Sequence, residues 1–405
     1  MKYIIILIDG VADYRIAELG NKTPLQYAKT PAMDSIAGNG EMGIVKTIPD
    51  GMVPGSDTAN LSVLGYDPKK YHTGRSPLEA VSLGIDLSED DIVFRCNLVT
   101  LSEEDDYTDR TMVDYSAGEI PTDLSRILIR DIGSKLQTEK IKFFPGVSYR
   151  HIIVWEGGPD NNILTPPHDI LDKKISDFLS RGPGSSALLD MMVRSSSLLK
   201  EHAINKERVK KGIRPANSIW IWGEGRKPAL DSFYDKYKLE GSVISAVDLI
   251  KGIGILAGLT PVRVEGATGT IHTNFKGKAS AAIGQLTGGK NFVYLHLEAP
   301  DECSHQGNVK DKVKSIEIID REVIGPIKEA LGRQGFDYKM MILPDHYTPV
   351  SVRTHTSEPV PFLIYDSSRK ADSKSERFDE FTAKRTGLYF KEGYKLADYF
   401  FGIST

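Results

Sequence analysis

Carboxylates and imidazoles gather late in the chain at spacings that suit a divalent cation. Asp301 and His305 lie four residues apart in Asp301-Glu302-Cys303-Ser304-His305, which on a helical turn puts carboxylate and imidazole on one face while Cys303 points away. Asp345-His346 follows the apolar run Met340 to Leu343 across Pro344, and His355 comes soon after in Thr354-His355-Thr356. The protein has nine histidines, and an even scatter would rarely put three of them in this stretch beside two aspartates. Taken alone, Asp301 and His305 are most simply a surface pair. They need other ligands to converge on them before they become anything more.

Two further candidates come from the amino-terminal part. Asp9-Gly10 ends the apolar run Tyr3 to Ile8, and in open α/β sheets ligands gather at the carboxyl ends of strands. An Asp-Gly turn is the competing reading. In Pro54-Gly55-Ser56-Asp57-Thr58-Ala59-Asn60, a tight turn leads into a short helix closed by Gly65, so Ser56 falls at a helix amino terminus. Serine is a common N-cap, and capping is the plain reading. The free amides and dipole at such a terminus also favour an anion, phosphate included.

Asp9, Ser56, Asp301, His305, Asp345, His346 and His355 together offer oxygen and nitrogen ligands enough for two divalent ions. Carboxylate and imidazole without thiolate suit manganese, magnesium or zinc. Two such ions beside a serine hydroxyl would favour its alkoxide and neutralise a phosphoryl group under in-line attack, which makes Ser56 a candidate nucleophile.

The elements that must position these residues read as α/β. Tyr3 to Ile8, Ser242 to Ser245, Asn291 to Leu297, Lys339 to Pro344 and Val360 to Tyr365 are strand-like, and Ala246 to Ala257 and Lys312 to Leu331 are helical. Ser218 to Gly223 reads as a strand resuming the same rhythm. The fold expected is a doubly wound, mainly parallel sheet built from residues 1–71 and 215–405, with an α+β domain, residues 72–214, inserted into it. Within the insertion, Asp91 to Val99, Ile141 to Gly146 and Tyr149 to Trp155 read as strands, and Ala117 to Leu136 and Ser185 to Lys206 as helices. The basic segment Lys206 to Arg214 lacks interleaved aromatics and reads as a solvated face. The charged run Ser367 to Lys384 reads as an exposed loop.

A phosphorylated ligand would need cationic forks. Arg75, Arg150 and Arg226 lie in turns or at strand ends, and His151, His168 and Asp169 could handle protons. Composition narrows the partners. Lys and Arg total 51 against 55 Asp and Glu, a net charge of −4, so no global field attracts nucleic acid or an anionic membrane. Two cysteines, Cys96 and Cys303, suit a reducing compartment, and the opening apolar run is too short for a signal or a membrane span, so a cytoplasmic location is expected.

Asp9-Gly10, Gly55 to Asn60, Asp301 with His305, Asp345-His346 and His355 with Pro359-Val360-Pro361 resemble the motifs of cofactor-independent phosphoglycerate mutase. Leu61 to Asp67 and Phe94 to Val99 are similar to its archaeal-type branch, in the alkaline phosphatase superfamily. The resemblance implies one metal held by Asp9, Ser56, Asp345 and His346, and another by Asp301, His305 and His355. It also implies transfer of phosphate from 3-phosphoglycerate to Ser56 and back to the 2-hydroxyl, without free bisphosphoglycerate. One segment departs from the family. Val11-Ala12-Asp13-Tyr14-Arg15 stands where the mutase branch would carry a glycine-containing segment with Asp-Arg-Pro, and a related branch proposed to act as homoserine kinase is at least as similar there. A kinase or phosphohydrolase on the same scaffold, and a metal-binding protein without turnover, are the alternative readings.

Overall fold

The computed structural model describes residues 1–369 and 377–403. In chain order the strands are β1 (Lys2–Ile8), β2 (Glu41–Val45), β3 (Asp91–Leu101), β4 (Met112–Asp114), β5 (Ile141–Val147), β6 (Arg150–Glu156) and β7 (Ser218–Arg226). They continue as β8 (Gly241–Ile244), β9 (Thr260–Pro261), β10 (Phe292–Leu297), β11 (Tyr338–Leu343), β12 (Val360–Asp366) and β13 (Tyr389–Phe390). The chain divides into two compact units, Met1–His72 with Ala229–Thr405, and Thr73–Pro228.

The first unit is built on an eight-stranded sheet in the order β13-β2-β12-β11-β1-β10-β8-β9. Ile4 to Ile8 are fully buried, as a β-branched run covered on both faces must be. This run makes β1 the central strand, parallel to β10 on one side and β11 on the other. Asp9 follows β1, Asp301 lies shortly after β10 and Asp345 shortly after β11, so three neighbouring strands deliver carboxylates to one edge. β12 runs antiparallel to both β11 and β2. No helix intervenes between β11 and β12, and a return without a crossover gives an antiparallel neighbour.

Several local expectations change. Ser218–Arg226, expected to extend the large sheet, instead lies antiparallel to β3 in the second unit, with Cys96 opposite Ile221 and Asn97 opposite Trp220. The amphipathic stretch Lys312 to Leu331 is broken by a π-helical turn at Asp320–Ile324, where the Asp320 carboxylate accepts from the amides of Ala32 and Met33. Ala117 to Leu136 is helical only from Thr122, since Ala117 and Glu119 take left-handed backbone angles ahead of Pro121. Ser185 to Lys206 is two helices parted at His202, whose ring accepts from the Ile204 amide. Of the run Ser367 to Lys384, residues 370–376 lie outside the described residues. The part after them is not an exposed loop: Phe378 is buried and Glu380–Arg385 is a helix capped by Asp379.

The second unit is a five-stranded sheet in which β3 pairs with β4, β6 and β7, and β5 with β6. Helices Thr122–Leu136 and Ser185–Lys200 contribute Leu128, Ile132, Leu188 and Met192 to its core.

Lys312 and Asp13 form a fully buried ion pair at 2.8 Å in the first unit. Asp13 also accepts from the Val350 amide, and Lys312 donates to the Thr348 carbonyl, so the pair ties the chain after β1 to the chain after β11. Removing one partner would strand the other charge without solvent. Lys312→Met is expected to cost about 3–5 kcal/mol in denaturant unfolding. A change under about 1 kcal/mol would show that the pair holds nothing together.

Candidate metal centre and nucleophile

Ser56 opens the helix Ser56–Val63, all of whose residues are buried. Gly55 is the N-cap and no side chain caps the amides, so Ser56 is the first helical residue rather than the cap. Its hydroxyl turns into the molecule and lies 3.2 Å from His346 Nε2. At the far end Gly65 takes φ +87°, and a Cβ there would strike the Tyr237 hydroxyl.

Around this hydroxyl the ligand candidates converge. Asp9, Asp345 and His346 present ligand atoms all within 4.8 Å of one another, and so do Asp301, His346 and His355. His305 Nε2 lies 3.1 Å from both Asp301 Oδ2 and His355 Nε2. The sequence motifs are therefore brought together, with His346 common to both sets. The approach is close enough to require Gly10, where φ is +60° and a Cβ would meet Asp301 Oδ1 and Thr348 Oγ1 at 2.5 Å.

Hydrogen bonds fix which lone pairs face the cluster. The Thr348 hydroxyl donates to Asp301 Oδ1 at 2.6 Å, so at 3.1 Å it accepts from His346 Nδ1. That leaves His346 Nε2 as a lone pair aimed at Ser56, and burial keeps the imidazole neutral by lowering its pKa. His305 Nδ1 donates to the Arg353 carbonyl at 2.9 Å, turning Nε2 inward. Asp345 Oδ1 accepts from the amides of Gly10 and His346. Its Oδ2 lies 3.3 Å from His346 Nε2.

The charges do not balance by themselves. Burial, and then the charges of Asp345 and Asp301, push the Asp9 carboxyl well above the usual carboxylate range. Burial would raise Asp301 too, but hydrogen bonds from His305 and His355 outweigh it and hold that carboxyl well below the range. Asp9 Oδ1 is buried with no hydrogen-bond partner among the described residues. An orphaned carboxylate oxygen amid oxygen and imidazole donors fits a divalent cation, which would satisfy that oxygen and offset the crowded negative charge.

Sequence reasoning missed the groups behind these ligands. His296 on β10 is fully buried; its Nε2 donates to Asp9 Oδ2 at 3.0 Å, and its Nδ1 accepts from the Ser245 hydroxyl at 3.1 Å. Thr348 and Tyr294 likewise carry no local signal, and Asn60 enters the sequence reading only as the last residue of the Gly55 to Asn60 motif. Asn60 alone carried a signal, its place four residues after Ser56 on the same helix face.

In the second unit, Arg75 and Arg150 are exposed, and Arg226 donates to Asp160 Oδ2 through Nε and Nη2 at 3.0 and 2.9 Å. His168 and Asp169 are exposed on a turn. A chain of rings runs from Arg150 over Tyr149 through Tyr115 and His168 to Trp222, which Arg95 covers. Arg95, unmarked in the sequence, is held by Glu79. His151, expected to handle protons, is buried instead: its Nδ1 accepts from the Gly146 amide, and burial followed by the Arg126 charge lowers its pKa to about 3. At neutral pH it carries no exchangeable charge.

A mainly parallel sheet whose strand ends carry this carboxylate and imidazole cluster beside a serine hydroxyl defines an α/β protein with a candidate metal centre next to a candidate nucleophile. A family model described as 2,3-bisphosphoglycerate-independent phosphoglycerate mutase matches residues 37–205. A probable mutase of that description from Geobacter sulfurreducens is 46% identical over 400 residues, covering 98% of this chain and 99% of the relative. One from Methanosarcina mazei is 47% identical, covering 96% of each chain. Among solved structures, a Pyrococcus horikoshii protein has a TM-score of 0.82 at 30% identity, over 100% of this chain and 98% of that one. The cofactor-independent phosphoglycerate mutase of Thermoplasma acidophilum has a TM-score of 0.69 at 28% identity, over the whole of both chains. The chain belongs to the 2,3-bisphosphoglycerate-independent phosphoglycerate mutase family.

The Asp301 hydrogen bond raises the His305 pKa to about 9, against the opposing effect of burial. At neutral pH the metal-free ring is thus protonated, and a cation must displace that proton to reach Nε2. Affinity for manganese is expected to rise with pH between about 6.5 and 9 with release of a proton, read by calorimetry in buffers of different ionisation enthalpy. Affinity independent of pH over that window would remove His305 from the ligand set.

Proposed function

We propose that this protein interconverts 3-phosphoglycerate and 2-phosphoglycerate through a phosphoserine at Ser56, in a cluster holding two divalent ions, manganese foremost and magnesium or zinc in its place. The observation that carries the reading is the Ser56 hydroxyl 3.2 Å from the neutral His346 Nε2, inside the ligand cluster that leaves Asp9 Oδ1 unpartnered. Asp9, Ser56, Asp345 and His346 would hold one ion, and Asp301, His305 and His355 the other, with His346 positioned to face both. Bound there, divalent cations lower the hydroxyl pKa and neutralise phosphoryl charge.

The chain's own groups do the rest. Burial of the helix Ser56–Val63 keeps Ser56 away from bulk water, and the uncapped amides that open the helix would favour a phosphoryl group carried on it. Ser56 Oγ gives up its proton and attacks phosphorus as the bond to the 3-oxygen breaks, and that oxygen takes up a proton in exchange. The reverse attack by the 2-hydroxyl of the same glycerate releases Ser56. Arg75, Arg150 and Arg226 are the candidates for holding the acid's carboxylate and phosphate, with His168 and Asp169 to handle protons. The burial of His151 favours a structural role for it.

The departure at Val11 to Arg15 gives little support to a homoserine kinase. Val11 and Ala12 are buried, Asp13 is taken up by Lys312, and the exposed Tyr14 and Arg15 are engaged by Glu358 and the Phe381 ring, so the segment's contacts are with its own unit. A cytoplasmic setting completes the reading, since Cys96 and Cys303 are free thiols and no helix among the described residues is long and apolar enough to cross a membrane.

With manganese and 3-phosphoglycerate, the protein is expected to form 2-phosphoglycerate without added bisphosphoglycerate. Ser56→Ala should lower turnover by roughly a thousandfold or more while retaining manganese. Phosphorylation of homoserine from ATP with no mutase turnover, or full activity in Ser56→Ala, would overturn the reading.

A further inference from the structure

Asn60 lies where the nucleophile's helix and a ligand carboxylate meet. Its Nδ2 donates to the Ser56 carbonyl at 2.8 Å and to Asp345 Oδ2 at 3.1 Å, and its Oδ1 accepts from the Tyr294 hydroxyl at 2.5 Å. All four residues are buried, Asn60, Asp345 and Tyr294 completely. These partners leave the amide a single orientation, because both donors face acceptors and the acceptor faces a hydroxyl. Tyr294 lies on β10, which pairs directly with β1, so the relay begins on the rigid centre of the sheet and ends on the ligand.

We propose that Asn60, anchored by Tyr294, is a positioning residue: it aims the second oxygen of Asp345 at the metal cluster and locks Ser56 in register with it. Backbone amides already hold Asp345 Oδ1. Without Asn60, Oδ2 could rotate away from His346 Nε2, now 3.3 Å distant. The same amide grips the first turn of the helix, so one side chain couples the ligand's orientation to the nucleophile's. Outer groups of this kind set metal affinity almost as strongly as the ligands they orient. The inference rests on Asp345 being a metal ligand.

The test compares Asn60→Leu, which keeps the volume and removes the donors, with Tyr294→Phe, which keeps the ring and removes the hydroxyl. Asp345→Asn serves as the control on the underlying reading. Manganese affinity by calorimetry, thermal midpoint, and kcat and KM for 3-phosphoglycerate are measured on each. Asn60→Leu is expected to weaken manganese binding about 10- to 100-fold and lower kcat, with KM held within about twofold. Tyr294→Phe should show a smaller loss in the same direction, and the double variant little more than Asn60→Leu alone, since the two act in one relay. If Tyr294→Phe and a folded Asn60→Leu keep full manganese affinity while Asp345→Asn loses it, the positioning role is wrong and the metal site stands. If Asp345→Asn also keeps its affinity, the assignment of Asp345 fails and takes the positioning role with it.

Discussion

Three carboxylates at the ends of adjacent strands, out of reach of solvent, are the constraint on which the rest of this structure depends. Asp9, Asp301 and Asp345 are each less than a tenth exposed. Burying such charges without compensation is prohibitive, and the protein supplies only part of what they need. Imidazoles surround Asp301 and backbone amides hold one oxygen of Asp345, but Asp9 keeps a bare oxygen. The arrangement stores a demand for positive charge at one spot, and the nucleophile stands beside that spot.

Rigid supports make the demand specific. β10, β1 and β11 deliver the three acids in fixed register, and side chains behind them set the direction of each lone pair. His296 turns Asp9, Thr348 orients His346 and Asp301, and Asn60 holds Asp345. The buried Asp13–Lys312 pair binds together the two segments that leave β1 and β11. A site meant to stabilise phosphoryl charge gains most from groups that need not move when the charge arrives.

The supports and the ligands differed in how plainly the sequence displayed them. Ile4 to Ile8, Asn291 to Leu297 and Met340 to Leu343 are runs too apolar for anything but a covered strand, so the acids after them could be placed without the structure. Ser56 could be placed at a helix start, although Gly55 rather than Ser56 proves to be the cap. Other features depend on pairings that local pattern does not encode. Ser218–Arg226 reads as a strand continuing the rhythm of the large sheet, and only its register with β3 moves it to the other. Arg150 and His151 are neighbours on one strand, and the side-chain alternation sends the first outward and the second into the core. His296 looks like an ordinary polar residue until its long-range partners are known.

The most direct test of the account is to trap the intermediate. The protein is mixed with manganese and 3-phosphoglycerate, quenched in acid during turnover, digested, and the peptide spanning Pro54 to Asn60 is read by mass spectrometry. The account predicts a phosphoryl group on Ser56, absent when substrate is omitted. Turnover with an unmodified Ser56, or with phosphate on another residue, would contradict it.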